Sequence, residues 1–342
     1  MDMPTLLAWR ATNRSNYVDA CNELQSSLHR MLATFVPSPA ALLSLLTHYH
    51  ALLSGEFAIC YLLRDTSLVP HSLDIYVGSV WFDVFIDTFG LSRELSGYQT
   101  SWITTSYADQ IVDNRHLTHT LEISLSNGRF ILIHASASPS ACHAIACSPS
   151  SLGTTFITEY SFATAYPRLT FNRRAIVCYD LLGEGSTFEI NAYQRLRDNG
   201  FSFEEDPTSW PDYSRDQYSD VDVRPLDCLR SLYICPQQGR YFGDEGSMVC
   251  FMDTLSADVS QLKEKCIPPY GIMAVWRLPS SIICDAECDE FNDILAPGVT
   301  ATSIMFEDES FKATTRSGLM IIGCTNAGGR WDRRGRARSV TL

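Results

Sequence analysis

The chain lacks the long apolar runs of a membrane protein. Its most apolar windows, Ala40–Leu46 and Gly318–Cys324, fall far short of the about 20 residues that span a bilayer. The opening residues, MDMPTLLAWRATNRSN, have no basic stretch followed by an apolar core. That predicts a soluble intracellular protein, cytoplasmic or nuclear, rather than a secreted one. Lysine is nearly missing, at three of 26 basic residues, which reads as codon bias. Histidine stops at His143, so the later cysteines have no imidazole near them in sequence. There is no Gly-x-Ser-x-Gly elbow, Walker loop or dinucleotide fingerprint, and no internal repeat. Between Ile123 and Thr158 there is neither Asp nor Glu.

What is present belongs to a folded chain: 45% hydrophobic, 11% aromatic and 19% charged residues. The length of 342 residues suits two domains or one elaborated domain. Acidic residues outnumber basic ones by 39 to 26, a net charge of −13, whereas a generic nucleic-acid binder is basic. The charge is uneven. Glu204, Glu205, Asp206, Asp212, Asp216, Asp220 and Asp222 crowd one polar stretch, and RWDRRGRARS near the C-terminus carries five arginines. The twelve cysteines are scattered, and Cys60, Cys147, Cys178, Cys235 and Cys250 sit in apolar contexts, so they read as buried thiols rather than a disulfide scaffold. Cys284 and Cys288 form a close pair with no second pair to complete a zinc site.

Spacing predicts a helix over residues 15–34, with Val18, Cys21, Leu24, Leu28 and Met31 on one face. A second helix starts at Pro39, capped by Ser38, and runs to about Tyr49. Then ALLSG reads as a strand, EFAICYLLRD as a helix and SLDIYV as a strand. WFDVFIDTFGL reads as a helix with Trp81, Phe82, Phe85, Ile86 and Phe89 on one side, ended by Gly90. LTHTLEISLSNGRFILIHA is a hairpin turning at Asn127-Gly128. AYQRLRDNG is a helix with a glycine stop, residues 204–224 an acidic loop, and RPLDCLRSLYIC and GSMVCFMDTL imply a strand-rich second half. The expected class is α/β with a mixed sheet. Its divisions are an N-terminal helical segment (1–35), a core (36–182), an α+β region (183–326) and an Arg-rich disordered tail (327–342).

The order strand, Ser54-Gly55-Glu56, helix, then Ser72-Leu73-Asp74 on a strand resembles the nucleotidyltransferase fold of the DNA polymerase beta superfamily, and most of all fungal, largely basidiomycete, proteins with that fold. The stretches carrying the likeness are LLSGEFAICYLL and HSLDIYV, continued by RFILIHASASPSACHAIACSPSSLGTTFIT and YSFATAYPRLTF, with weaker echoes in AYQRLRDNGF and RYFGDEGSMV. The resemblance implies a Gly-Ser turn whose helix amides hold a triphosphate. It also implies two carboxylates two residues apart on one strand face, which with a third from a neighbouring strand hold two Mg2+ ions.

Three positions depart from that pattern. Glu56 stands where a serine should meet the phosphates, Ser72 stands for the first metal carboxylate, and RFILIHA offers no third, leaving Asp74 alone. One carboxylate does not supply the oxygen ligands and charge two Mg2+ ions need. The leading expectation is therefore a nucleotidyltransferase-like pseudoenzyme, with no cofactor, acting as a binding or scaffold protein for an unknown protein partner, a nucleotide being a possible ligand. Ser54, Gly55, Glu56, Ser72 and Asp74 would line its site. The alternative is an active Mg2+-dependent transferase in which Glu56 or Asp83 supplies a second carboxylate; Asp83 and Asp87 otherwise read as solvated helix positions. A third reading is RNA binding by Arg330, Arg333, Arg334, Arg336 and Arg338, with Trp331 stacking on a base, set against a plain solvated tail or docking onto the acidic 204–222 stretch. His116, His119 and His134 read as structural rather than a metal trio, His48 and His50 as helix-end residues, and adjacent Cys142 and His143 imply no catalytic pair.

Overall fold

The computed structural model describes residues 1–92, 94–95, 99–106, 117–177, 187–213, 229–236, 238–252, 273–276, 278, 305–307, 310–312 and 319–321. The predicted α/β class is the observed one: eight α-helices and a mixed eight-stranded sheet among the described residues. Two compact units divide the chain, the first formed by Met1–Ile145, Thr155–Ala163 and Val249–Pro269, the second by Ala146–Thr154, Thr164–Met248 and Tyr270–Leu342.

In the first unit the N-terminal segment folds as α1 (Met3–Arg10) and α2 (Arg14–Leu32). Helix α2 buries Cys21, Leu24 and Leu28, three of the five positions expected on its inner face. Helix α3 (Pro39–His48) begins as read: Ser38 Oγ accepts from the Ala41 amide and Pro39 occupies the first turn, where its missing N–H costs nothing. Strand β1 (Leu52–Ser54) leads straight into α4 (Gly55–Leu63), whose residues from Glu56 to Leu62 are all buried. A helix apolar on nearly every side has to sit inside, and this one does.

Strand β2 (Ser72–Val77) keeps Leu73, Ile75 and Val77 at 0% exposure on one face and turns Ser72, Asp74 and Tyr76 to the other. Helix α5 (Phe82–Leu91) buries Phe82, Phe85 and Phe89, while Asp83 and Asp87 are exposed as expected. Gly90 does not end it. The helix runs on to Leu91, and a side chain at Gly90 would meet the Trp102 indole at 2.9 Å, so the glycine makes room for an aromatic neighbour instead. Strands β3 (Gln99–Ser106), β4 (Leu117–Leu125) and β5 (Phe130–Ser136) follow. The β4–β5 turn falls at Asn127-Gly128 as read, closed by the Gly128 amide on the Leu125 carbonyl. Only Gly128 is left-handed (φ 78°), the three-residue-loop form rather than a two-residue I′ turn.

Helix α6 (Ala141–Ala146), β6 (Thr155–Ile157) and β7 (Ser161–Thr164) come next. With β11 (Met248–Phe251) the sheet order is β11-β7-β6-β1-β2-β5-β4-β3. The pair β2–β5 is parallel, and α5 lies in the crossover between the two strands; β1–β2, β4–β5 and β3–β4 are antiparallel.

The second unit holds α7 (Pro167–Phe171), the parallel pair β8 (Arg174–Ile176) and β9 (Ser202–Glu204), and α8 (Thr187–Asp198) between them. Helix α8 stops at Gly200, whose amide bonds the Arg197 carbonyl, as the sequence implied. A second sheet joins β10 (Arg240–Tyr241), β12 (Met273–Trp276) and β15 (Leu319–Ile321), and β13 (Met305–Glu307) pairs with β14 (Ser310–Lys312). The second half is strand-containing, but Leu229–Leu232 of RPLDCLRSLYIC is a 3-10 turn. The buried hub here is Arg240, 0% exposed. It is ion-paired to Asp244 at 2.6 Å, donates to the Ala165 carbonyl at 2.6 Å and lies over the Tyr166 ring.

Candidate functional site

The parallel register of β2 and β5 brings the candidate residues together. Directly opposed residues across a sheet share a face, so each transverse row reads as one line of side chains. One row runs Ser54, Asp74, Leu132, Glu122, Ile103; the next runs Leu52, Tyr76, His134, Thr120, Thr105. The opposite face carries Leu73, Ile75, Ile131, Ile133, Leu121 and Ile123, all buried. The α5 rings pack on that apolar face: Phe89 against Trp102, which pairs with Ile123, and Phe82 against His119, which pairs with Ala135. Asp83 and Asp87, on α5, are therefore across the sheet from Asp74.

Asp74 is held from three sides. Ser72 Oγ donates to its Oδ2 at 2.8 Å, and His134 Nε2 faces its Oδ1 at 3.4 Å. Gly55 closes the third side: a Cβ there would lie 2.6 Å from Oδ2, and its φ of 65° is a conformation glycine adopts without penalty. His134 is fixed in turn, with Nδ1 2.9 Å from Thr120 Oγ1 and its ring stacked on Tyr76 at a centroid separation of 4.7 Å. The side chains of Asp74 and His134 keep 13% and 10% of their surface exposed. Burial pushes the Glu122 carboxyl up from its ordinary value.

The sequence placed Ser54, Gly55, Ser72 and Asp74 in one site, and the fold assembles them. Ser54 precedes α4 without capping it; its Oγ donates to the Thr155 carbonyl at 2.5 Å. Glu56 is also close in the chain but serves the backbone. Its Oε2 accepts the His71 amide at 3.0 Å, and the residue is 5% exposed. Sequence reading took His134 as structural and passed over Thr120 and Glu122. The signal for all three was present in the alternation of LTHTLEISL and FILIHAS, but it needed the strand register to become a site. His119 and His134 are on opposite faces of the sheet and do not combine, and His116 lies outside the described residues.

The three carboxylates that the two-Mg2+ arrangement calls for are not assembled around Asp74: its near neighbours include a hydroxyl, an imidazole and a glycine. Among the described residues no group of three His, Cys, Asp or Glu is placed to hold a metal ion. The donor set does not fit the two-metal arrangement the resemblance implies. Arg330, Arg333, Arg334, Arg336, Arg338, Cys178, Cys284 and Cys288 lie outside the described residues; Cys60, Cys147, Cys235 and Cys250 are buried, as read. No described helix is long and apolar enough to cross a membrane. No family model, no curated protein and no solved structure matches this chain.

Proposed function

We propose that this chain is a nucleotidyltransferase-like protein that has given up metal-dependent nucleotidyl transfer and works by binding. The observation that carries this reading is the environment of Asp74. The one carboxylate left at the family's metal position accepts from Ser72, faces an imidazole and abuts Gly55. Glu56 adds to it, since its charge is committed to the His71 amide beside the turn where a triphosphate would otherwise meet open donors. A nucleotide remains one ligand to test on the Asp74 face of the sheet, and a protein partner the other.

The test is a nucleotide-incorporation assay with each of the four NTPs and Mg2+, run beside a thermal-shift screen of the same pairs. The expected outcome is no Mg2+-dependent incorporation. A ligand at 100 times its dissociation constant stabilises a fold by about 2.7 kcal/mol, so binding without turnover is visible as a raised melting temperature. Incorporation that disappears in Asp74→Ala would establish the competing reading, an active transferase with rearranged carboxylates.

A further inference from the structure

A crossover helix lying on a sheet normally turns polar residues to solvent, and α5 departs from that pattern. Its inner face is filled by Phe82, Phe85 and Phe89. On the outer face Val84, Asp87 and Leu91, three and then four residues apart, line up along one side of the helix. Leu91 keeps 84% of its surface exposed, and Val84 and Val80, the latter just before the helix, are each more than half exposed. Trp102, 40% exposed, adds to them: it packs against Phe89, and its ring fills the space beside Gly90. A single exposed apolar side chain is ordinary. Here four of the seven large ones exposed among the described residues fall on α5, its approach and the ring beside it. The two charges on α5, Asp83 and Asp87, are both acidic and both exposed, on or beside the same stripe.

We propose that the outer face of α5 docks a protein partner through an amphipathic basic helix. The partner's apolar stripe sits on Val80, Val84, Leu91 and Trp102, and its flanking lysines or arginines pair with Asp83 and Asp87. Charge selects this occupant. A second copy docked face to face would set Asp83 and Asp87 against the same pair, and like charges repel. An anionic membrane or a nucleic acid is repelled as well. A helix suits the surface because side chains at three- and four-residue spacing form ridges that fit the grooves of another helix. The apolar contacts supply most of the affinity, and the two carboxylates set orientation and salt dependence. This goes beyond the function proposed above. Helix α5 packs on the sheet face opposite Asp74, so the partner and a ligand at Asp74 occupy separate faces.

The probe is a fluorescein-labelled model helix of about 18 residues, leucine on one side and lysine on the other, titrated with the purified full chain and followed by fluorescence anisotropy. The expected result is saturable one-to-one binding that salt weakens and that is lost when glutamate replaces every lysine. The double variant Val84→Ser, Leu91→Ser weakens it at least about tenfold without lowering the melting temperature. Asp87→Asn weakens it about two- to fivefold, the size of one exposed ion pair. Asp19→Asn removes the same charge from an exposed position on α2 and leaves the affinity unchanged. No binding, or equal binding by wild type and both α5 variants, the mark of general attraction to an acidic chain, would overturn the proposal. So would a dimer in light scattering that the double variant dissociates, because a second copy would then cover the face. If the double variant fails to fold, Asp87→Asn measured against Asp19→Asn still decides. Incorporation of an NTP would overturn the functional reading above and not this one, so the two fail separately.

Discussion

His143 lies on α6 with 5% of its surface exposed, and burial holds its imidazole down to about 4 from the usual 6.5. In the native state it stays neutral until the pH approaches 4, whereas the unfolded chain protonates it near 6.5. Its effect on stability is therefore nil above 6.5 and grows against the fold as pH falls toward 4. At pH 5 the difference amounts to roughly 2 kcal/mol. Urea unfolding of wild type and His143→Gln from pH 7.5 to 5 should show the wild type losing that much more; parallel curves would refute it. Asp74, on β2, was legible because a carboxylate in HSLDIYV alternates with leucine, isoleucine and valine, a local pattern. His134 was not, since its meaning depends on Tyr76, 58 positions earlier in the chain, lying beside it. Glu56 was visible as an intruder at the turn, but its bond to the His71 amide required the backbone path between them.

The same substitution at two glycines separates two physical costs at the level of the element. Gly128 closes the β4–β5 hairpin with φ 78° and open space where a Cβ would go, so Gly128→Ala should cost only the left-handed conformation, about 1 kcal/mol. Gly78, at the exit of β2, has no such φ, but a Cβ there would run into the carbonyl of Pro139 beyond the end of β5. Backbone cannot swing aside as a side chain can, so Gly78→Ala should destabilise by about 1–3 kcal/mol or more. Paired denaturation curves check the order, and a larger loss at Gly128 would reverse the explanation. Elements with clear periodicity, such as α2 and β2, were readable because each buries a face that its own residues define, and α4 because its residues are apolar on nearly every side. The end of α5 was not. Gly90 is a helix terminator by habit, and here the Trp102 ring uses the space, a tertiary contact that no local rule contains.

For the molecule as a whole, the mixed α/β class followed from strands interleaved with helices, but the sheet order did not. Strand β11, some 85 residues after β7, adds to the same sheet, and loop closure over that distance leaves no local trace. Charge is a whole-chain property that composition gives directly, and it bears on the RNA-binding alternative. A net −13 chain repels a polyanion, and the five arginines between Arg330 and Arg338 must overcome that field to hold RNA. Each phosphate neutralised on a single strand contributes about −0.7 to the slope of log affinity against log salt, so a tail using all five would give about −3.5. The expected result with a single-stranded RNA oligomer is no salt-dependent binding that deletion of residues 328–342 abolishes, with the melting temperature the same in both chains. A slope near −3 that vanishes on deletion would instead make the tail an RNA-binding element and the polar face of the sheet a separate matter.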